Sequence, residues 1–529
     1  MSLYSVFFFL FVLGSLICYY VTHRWTGHRQ WMILLAISLA FYLIAGHIAY
    51  IVFTALLTWG GALLSTKIGE KYLEAKKDHS ISRADRKRIK AKVLNQRRMV
   101  LILVMMINFG VLGYIKYWPT MWNGLVDIFH YSSQMHLSQF LLPLGISFYT
   151  FQSMGYLIDV HNDKYPAEKN FFKFLLFISF FPQLIQGPIN RFDALARQLY
   201  DDHYYNWSQV KYGLILFCFG AMKKFTIADP LNGAVSAIMD KGPVTMPGSM
   251  MLFGAFLYAV QQYADFSGGI DMVLGVSRMF GIQMAPNFRQ PYFSTSLGDF
   301  WRRWHITLGA WMRDYVFYPF ALTNPMMHFG KWAGKHLGKH CGRVLPACVG
   351  NIVVFFLVGI WHGPEIHYIL WGLYNGIIIA FSDLFKPCYD RGLEILRVSK
   401  NSKGYHVFVI VLTFFVVVVA GFFDRISNVG RSFQFFYRSF YTFDLGQFLS
   451  VYYHLVRPVL HHNAIILIIS ASVLVFINSV LQERGIDTYQ RIQTVPVCLR
   501  WGIYYLMIIL VLLSFLIPTH AGGFMYANF

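Results

Sequence analysis

Two short stretches place an imidazole among aromatic side chains inside otherwise apolar sequence. The first runs Phe300-Trp301-Arg302-Arg303-Trp304-His305-Ile306-Thr307-Leu308 and continues through Trp311-Met312-Arg313-Asp314-Tyr315. The second is Gly359-Ile360-Trp361-His362-Gly363, followed at once by Pro364. Ionisable groups in apolar segments are costly to bury, which makes them suspects for function. A helix over Phe300 to Tyr315 is expected to put Trp301, Trp304, His305, Leu308, Trp311, Met312 and Tyr315 on one broad face, with Arg303, Thr307, Ala310 and Asp314 on the other. His362 stands where Gly363 and Pro364 must end a helix. A neutral imidazole buried at such a break can take a proton from a hydroxyl, which is the work of a general base. These residues alone leave a second account open: an interfacial amphipathic helix around His305, and a hydrogen-bonded structural histidine at 362. No metal is expected, because there is no HExxH and His305 and His362 do not stand at ligand spacing. There is no GxSxG and no P-loop, and no dinucleotide fingerprint sits between a strand and a helix. The six cysteines form no CxxC pair and read as small buried hydrophobes, not as a disulfide framework.

The elements that must hold these groups follow from composition. Of 529 residues, 56% are hydrophobic, 18% aromatic and only 13% charged. A soluble chain is about a quarter charged, so a water-soluble enzyme and a disordered chain are excluded, and an all-α polytopic membrane protein is expected. Thirteen apolar runs lie between Tyr4 and Ile517, among them Tyr4–Tyr20, Phe140–Val160, Phe171–Ile189, Tyr212–Met222 and Met250–Ala264. Several are short or interrupted by Pro143, Pro182 or Pro188 and are expected to be re-entrant, because lipid cannot satisfy a free backbone. About 10 to 12 complete spans are expected.

The formal charge of +20 is unevenly spread. Residues 67–98 carry twelve Lys/Arg against four Asp/Glu, and no Lys or Arg occurs between Tyr117 and Asp163. Basic blocks between apolar runs point to the cytoplasmic side rather than to nucleic acid, and they can meet anionic lipid headgroups. The pattern predicts a single membrane domain over 1–529, with a basic cytoplasmic loop at 67–98 and both termini extracytoplasmic. The first span has no basic n-region and reads as a retained anchor. A second cytoplasmic element is the basic strip 330–343, where Lys331, Lys335, Lys339 and Arg343 recur every four residues; one helix would stack them on one face. That face either sets topology by snorkelling or docks an acidic carrier protein or phosphorylated donor. The tail 518–529 ends in Phe524-Met525-Tyr526-Ala527-Asn528-Phe529, an F-x-Y-x-x-F pattern that also fits an aromatic interface anchor.

The segment Phe300–Phe320, GIWHG at Gly359–Gly363 and WGLYNG at Trp371–Gly376 resemble the membrane-bound O-acyltransferases. The resemblance is strongest to the bacterial branch that acylates alginate and teichoic acid. Further segments carry it over most of the chain: Leu142–Val160, Phe180–Phe192, AMKKFTIAD at Ala221–Asp229, QQYADFSGGIDM at Gln261–Met272 and PNFRQPY at Pro286–Tyr292. The resemblance implies a ring of helices around tilted and re-entrant ones, with a tunnel joining a cytoplasmic acyl thioester to a hydroxyl acceptor on the far side. It puts the catalytic histidine at His362 and a second motif histidine at His305. Trp301, Arg302, Arg303, Trp304, Trp361 and Asp314 are then candidates for positioning the substrates. Asp265, Asp299 or Asp314 could fix a histidine tautomer. By the same resemblance Tyr526 would be an acyl relay to a separate extracytoplasmic, esterase-like transferase. The chain departs from alginate-type relatives at Ala321–Pro325, where those continue with a short Gly-Gly-Asn-like loop, so donor identity transfers least.

The function expected is acyl transfer, acetyl first, from acetyl-CoA or an acyl carrier protein to an exported or cell-wall polysaccharide, with no bound cofactor, in the bacterial cytoplasmic membrane. D-alanylation of teichoic acid is the alternative within the class. A polytopic transporter or flippase of envelope glycans is the alternative outside it, although internal pseudo-symmetry is absent from the sequence. A structural partner in a wall-synthesis complex is the third.

Overall fold

The computed structural model describes residues 5–45, 47–129 and 143–517. These are helices and turns throughout; among the described residues the sole β pairing is one bridge, Phe288 with Trp304. Seven helices are long and apolar enough to cross a membrane, or eight if Ile366–Leu384 and Lys386–Ile395, bent by 57°, make one broken span. The protein is an all-α, multi-pass membrane protein. The count among described residues is lower than the 10 to 12 spans expected, and the apolar runs show why. Phe171–Ile189 breaks into Phe171–Ser179 and Phe181–Gln186, with Pro182 in the first turn of the second. Tyr212–Met222 belongs to a helix of 16 residues, Trp207–Met222. Met250–Ala264 lies in Gly248–Met279, whose second half carries Asp265, Asp271 and Arg278.

By contact the chain divides into two compact units: Met1–Leu214 with Val273–Ala285, and Ile215–Met272 with Pro286–Phe529. In the first unit the helix Ile146–His161 is buried almost all round, as an element apolar on every face must be. The basic block at 67–98 is not a loop. The helices Ile48–Lys77 and Arg83–Phe129 run through it and leave a short turn between them. Arg97, from that block, is buried: its guanidinium meets Asp163 at 2.7 Å, the carbonyls of Val160 and His161 at 3.1 and 2.9 Å, and Ser65 at 3.2 Å. A planar fork with five donors can fasten several chain segments at once, so this cation closes a fold contact.

The second unit holds both histidine motifs. Its core gathers Met222, Leu231, Ile238, Met250, Met251, Phe422 and Phe435. The strip 330–343 does not form one helical face. Asn324–His336 ends at Leu337, Gly338 takes a left-handed φ of 92°, and a new helix, Lys339–His362, begins. Lys331 and Lys335 thus ride on one helix, and Lys339 and Arg343 on the next. Glycine is the residue that adopts that φ without strain.

Candidate active site

The expected helix Phe300–Tyr315 is broken at the histidine itself. Leu297–Arg303 ends at Trp304, His305 takes a left-handed φ of 47°, and Ile306–Met312 starts anew before a π-helical turn, Arg313–Phe317. A residue with a Cβ pays roughly 1–2 kcal/mol for that conformation, so neighbours must impose it. Those neighbours come from the Pro286–Tyr292 segment. Arg289 N–H donates to the Arg303 carbonyl at 3.0 Å, and Phe288 bridges to Trp304. Ile306 N–H donates to the Asn287 carbonyl at 3.0 Å. The Asn287 Oδ1 accepts from Thr307 N–H at 3.0 Å and from the Thr307 hydroxyl at 2.7 Å. The one-helix expectation failed because Asn287 supplies the groups that a continuing helix would have supplied.

The break turns His305 inward, where it is 2% exposed. Its ring meets the Phe266 ring edge-on at 4.9 Å and the Trp361 ring at 6.1 Å. It also borders a cavity of about 1540 Å³. Trp301, Arg302 and Arg303 line the same cavity, together with Arg289, Arg313, Lys386 and Lys400, against three carboxylates, Asp299, Asp383 and Asp390. The excess of cations suits a phosphate-bearing ligand. Arg303 is partly spent on Asp299 at 3.1 Å and Glu483 at 2.7 Å. Arg302, with a side chain 71% exposed, is held only by Asp299 at 3.5 Å among the ion pairs described.

His362 is the last residue of Lys339–His362 and is 4% exposed. Its ring lies 5.0 Å from Trp361, 4.7 Å from Trp371 and 5.8 Å from Tyr368, the last nearly parallel at 28°. A Cβ at Gly363 would come within 2.7 Å of the Tyr368 ring, so the glycine after the histidine is what lets that ring close in. Trp301 Nε1 donates to Asn375 Oδ1 at 3.1 Å, and Asn375 Nδ2 donates to the Trp371 carbonyl at 2.9 Å. Trp301 packs on Trp371 at 5.5 Å. Two histidines 57 positions apart in sequence are therefore brought to one indole, Trp361, at 6.1 and 5.0 Å.

Trp304 stacks on Phe300 at 5.4 Å and supports the break at His305. Asp314 pairs with Arg313 at 2.9 Å. Of the other carboxylates considered as histidine partners, Asp299 takes Arg302 and Arg303, and Asp265 takes Lys224 at 2.5 Å. Tyr526 lies outside the described residues. No group of three or more potential metal ligands occurs among the described residues.

Sequence reasoning passed over Asn287, His367, Asp424 and the buried lysines Lys223 and Lys224. Lys224 meets Asp265 and Asp229 at 2.5 and 2.9 Å; Lys223 meets Asp271 at 2.6 Å and Ser267 at 2.9 Å. Their signal was present: AMKKFTIAD and QQYADFSGGIDM set lysines and aspartates in apolar surroundings, where charges must pair. Asn287 carried no such signal, since one asparagine after a proline reads as a turn.

Residues 161–327 match the model of the membrane-bound O-acyltransferase family. That span contains His305 and its arginines and ends before His362. The chain is 35% identical to the "Probable alginate O-acetylase" of Pseudomonas syringae pv. tomato, over 62% of this chain and 58% of that protein. It is 30% identical to the "Peptidoglycan O-acetyltransferase" of Helicobacter pylori, over 54% of this chain and 55% of the relative. It is 29% identical to the "Teichoic acid D-alanyltransferase" of Bacillus subtilis, over 46% of this chain and 59% of the relative. The chain spans less than two thirds of the length of each.

Proposed function

We propose that the chain, whose residues 161–327 match the model of the membrane-bound O-acyltransferase family, moves an acyl group, acetyl in the first instance, from a cytoplasmic thioester to hydroxyls of an exported or cell-wall polysaccharide. The observation that carries the reading is the pair of buried imidazoles packed on Trp361, one of them bordering a cation-rich cavity. Relatives named as acting on alginate and on peptidoglycan support the acceptor class.

In this reading the donor's phosphates rest among Arg289, Arg302 and Arg313, and the thioester reaches His305. A thioester is already activated, so the protein has mainly to deprotonate and position the hydroxyl. His362 takes the hydroxyl proton, the oxygen attacks the thioester carbon, and His305 faces the carbonyl oxygen as charge builds on it. The new C–O bond forms, the C–S bond breaks, and the proton passes from His362 to the leaving thiolate. The aromatic box around His362 excludes water, which would otherwise hydrolyse the thioester. Acetyl-CoA and an acyl carrier protein both offer the phosphate and thioester this requires. In a relay the attacking hydroxyl of this step would be the phenol of Tyr526, which would hold the acyl group as a phenyl ester until an extracytoplasmic, esterase-like partner passes it to the polysaccharide. In this reading both termini lie on the extracytoplasmic side of the bacterial cytoplasmic membrane, which the basic blocks in the sequence support.

Mass spectrometry of envelope glycans and of the C-terminal peptide, comparing wild type with His362→Ala, tests this. Loss of a glycan ester in the variant is expected, and the ester's mass separates acetyl from D-alanyl transfer. An acylated Tyr526 adds the relay. An identical ester pattern in both strains removes His362 as the base and returns the transporter to the front.

A further inference from the structure

Asp265, Asp299 and Asp314 each engage a cation. The histidine five residues beyond His362 has a different setting. His367, in the first turn of Ile366–Leu384, is 2% exposed. Its Nδ1 lies 2.9 Å from the Phe423 carbonyl oxygen and its Nε2 2.9 Å from Glu365 Oε2. A carbonyl and a carboxylate are acceptors only. With Glu365 ionised, both contacts are hydrogen bonds when the ring donates from both nitrogens, as the doubly protonated cation. The buried ring is then half of an ion pair whose other half, the Glu365 side chain, is 55% exposed. Asp424, beside Phe423, is occupied by the Tyr258 hydroxyl and by Gln262 Nε2, both at 2.7 Å.

The same ring stands 3.9 Å from the Tyr368 ring, and Tyr368 is the ring that lies nearly parallel to His362. A cation against an aromatic face is attracted to it, and charge-assisted hydrogen bonds are about twice as strong as neutral ones. The tether to Phe423 ties the turn at Gly363, Pro364 and Glu365 to the last turn of Lys403–Arg425. Building on the acyl-transfer reading, we propose that the Glu365–His367 ion pair is the positioning device for His362: it holds Tyr368 against the imidazole and fixes the turn that presents it. His367 touches neither substrate and acts through Tyr368.

The test uses the full chain in lipid nanodiscs, with acetyl-coenzyme A as donor, a cell-envelope polysaccharide as acceptor and thiol release as the assay, for wild type, His362→Ala, Glu365→Gln, Glu365→Asp and His367→Gln. Activity in His362→Ala tests the underlying reading separately from the device. Glu365→Gln keeps an acceptor and removes the charge; kcat is expected to fall about tenfold to hundredfold, as for a misplaced reacting group, with the donor KM and the melting temperature unchanged. Glu365→Asp is expected to recover most of the loss. Nitrogen-15 spectra of histidine-labelled protein read the device without any turnover. One doubly protonated ring is expected to vanish in His367→Gln, and the resonances missing from His362→Ala are expected to shift in Glu365→Gln. Unchanged His362 resonances overturn the proposal, as does wild-type kcat in both Glu365→Gln and His367→Gln, or a loss in His367→Gln that appears in the melting temperature alone.

Discussion

Replacing Asn287 by alanine is expected to disable His305 without touching it. The side chain removed accepts two hydrogen bonds from Thr307, at 3.0 Å from its N–H and 2.7 Å from its hydroxyl. The hydroxyl can rotate toward another acceptor, whereas the buried amide cannot, so the cost is chiefly one unsatisfied N–H, about 1–3 kcal/mol. The left-handed φ at His305 is itself uphill by roughly 1–2 kcal/mol. Without the asparagine the turn gains by relaxing to a helical φ, which carries the imidazole away from Phe266 and Trp361. If a loss near 2 kcal/mol goes into that turn, acyl transfer falls about thirtyfold, at 1.4 kcal/mol per factor of ten. Thiol release from acetyl-coenzyme A in nanodiscs measures it, and the informative design is a double-mutant cycle with His305→Ala. If Asn287 acts through His305, the double variant is no slower than His305→Ala alone. Full additivity of the two losses in the cycle would refute the reasoning, because Asn287 would then be serving something else.

Three other perturbations have clear expected outcomes. Gly363→Ala places a Cβ 2.7 Å from the Tyr368 ring; overpacking of this kind costs about 1–3 kcal/mol, and both the melting temperature in detergent and the activity are expected to drop. Lys224→Met strands the buried carboxylates Asp265 and Asp229, a loss of about 3–5 kcal/mol that immunoblots of membrane fractions should register as poor accumulation, partly restored by adding Asp265→Leu. Arg302→Gln removes an exposed cavity cation whose attraction is screened by salt, so the donor KM is expected to rise a few-fold at low ionic strength, with kcat unchanged and the effect fading at high salt.

Much of the fold was legible because a bilayer restricts it so strongly. Composition alone demanded helices, and the prolines at 182 and 188 announced a broken segment that the structure contains. The two histidine motifs could be picked out because an imidazole in apolar sequence is expensive and needs a reason. Their surroundings were less legible. Helical periodicity assumed that Phe300–Tyr315 was continuous, and nothing within those residues marks a break at His305. The break is imposed by Asn287, which sits 18 positions upstream. The block at 67–98 likewise read as a cytoplasmic loop, whereas its Arg97 is buried on Asp163 and two carbonyls, a contact available only once the helices have packed.

The sequence by itself determined that this chain lies in a membrane as helices and singled out two histidines as candidates, because burial costs and chain chemistry are properties of local sequence. Only the tertiary structure decided that His305 and His362 pack on one indole, that Asp265, Asp299 and Asp314 each engage a cation, and that His367 is pinned between Glu365 and Phe423. Those facts depend on which distant side chains arrive at the same place, and hydropathy and spacing carry no record of that.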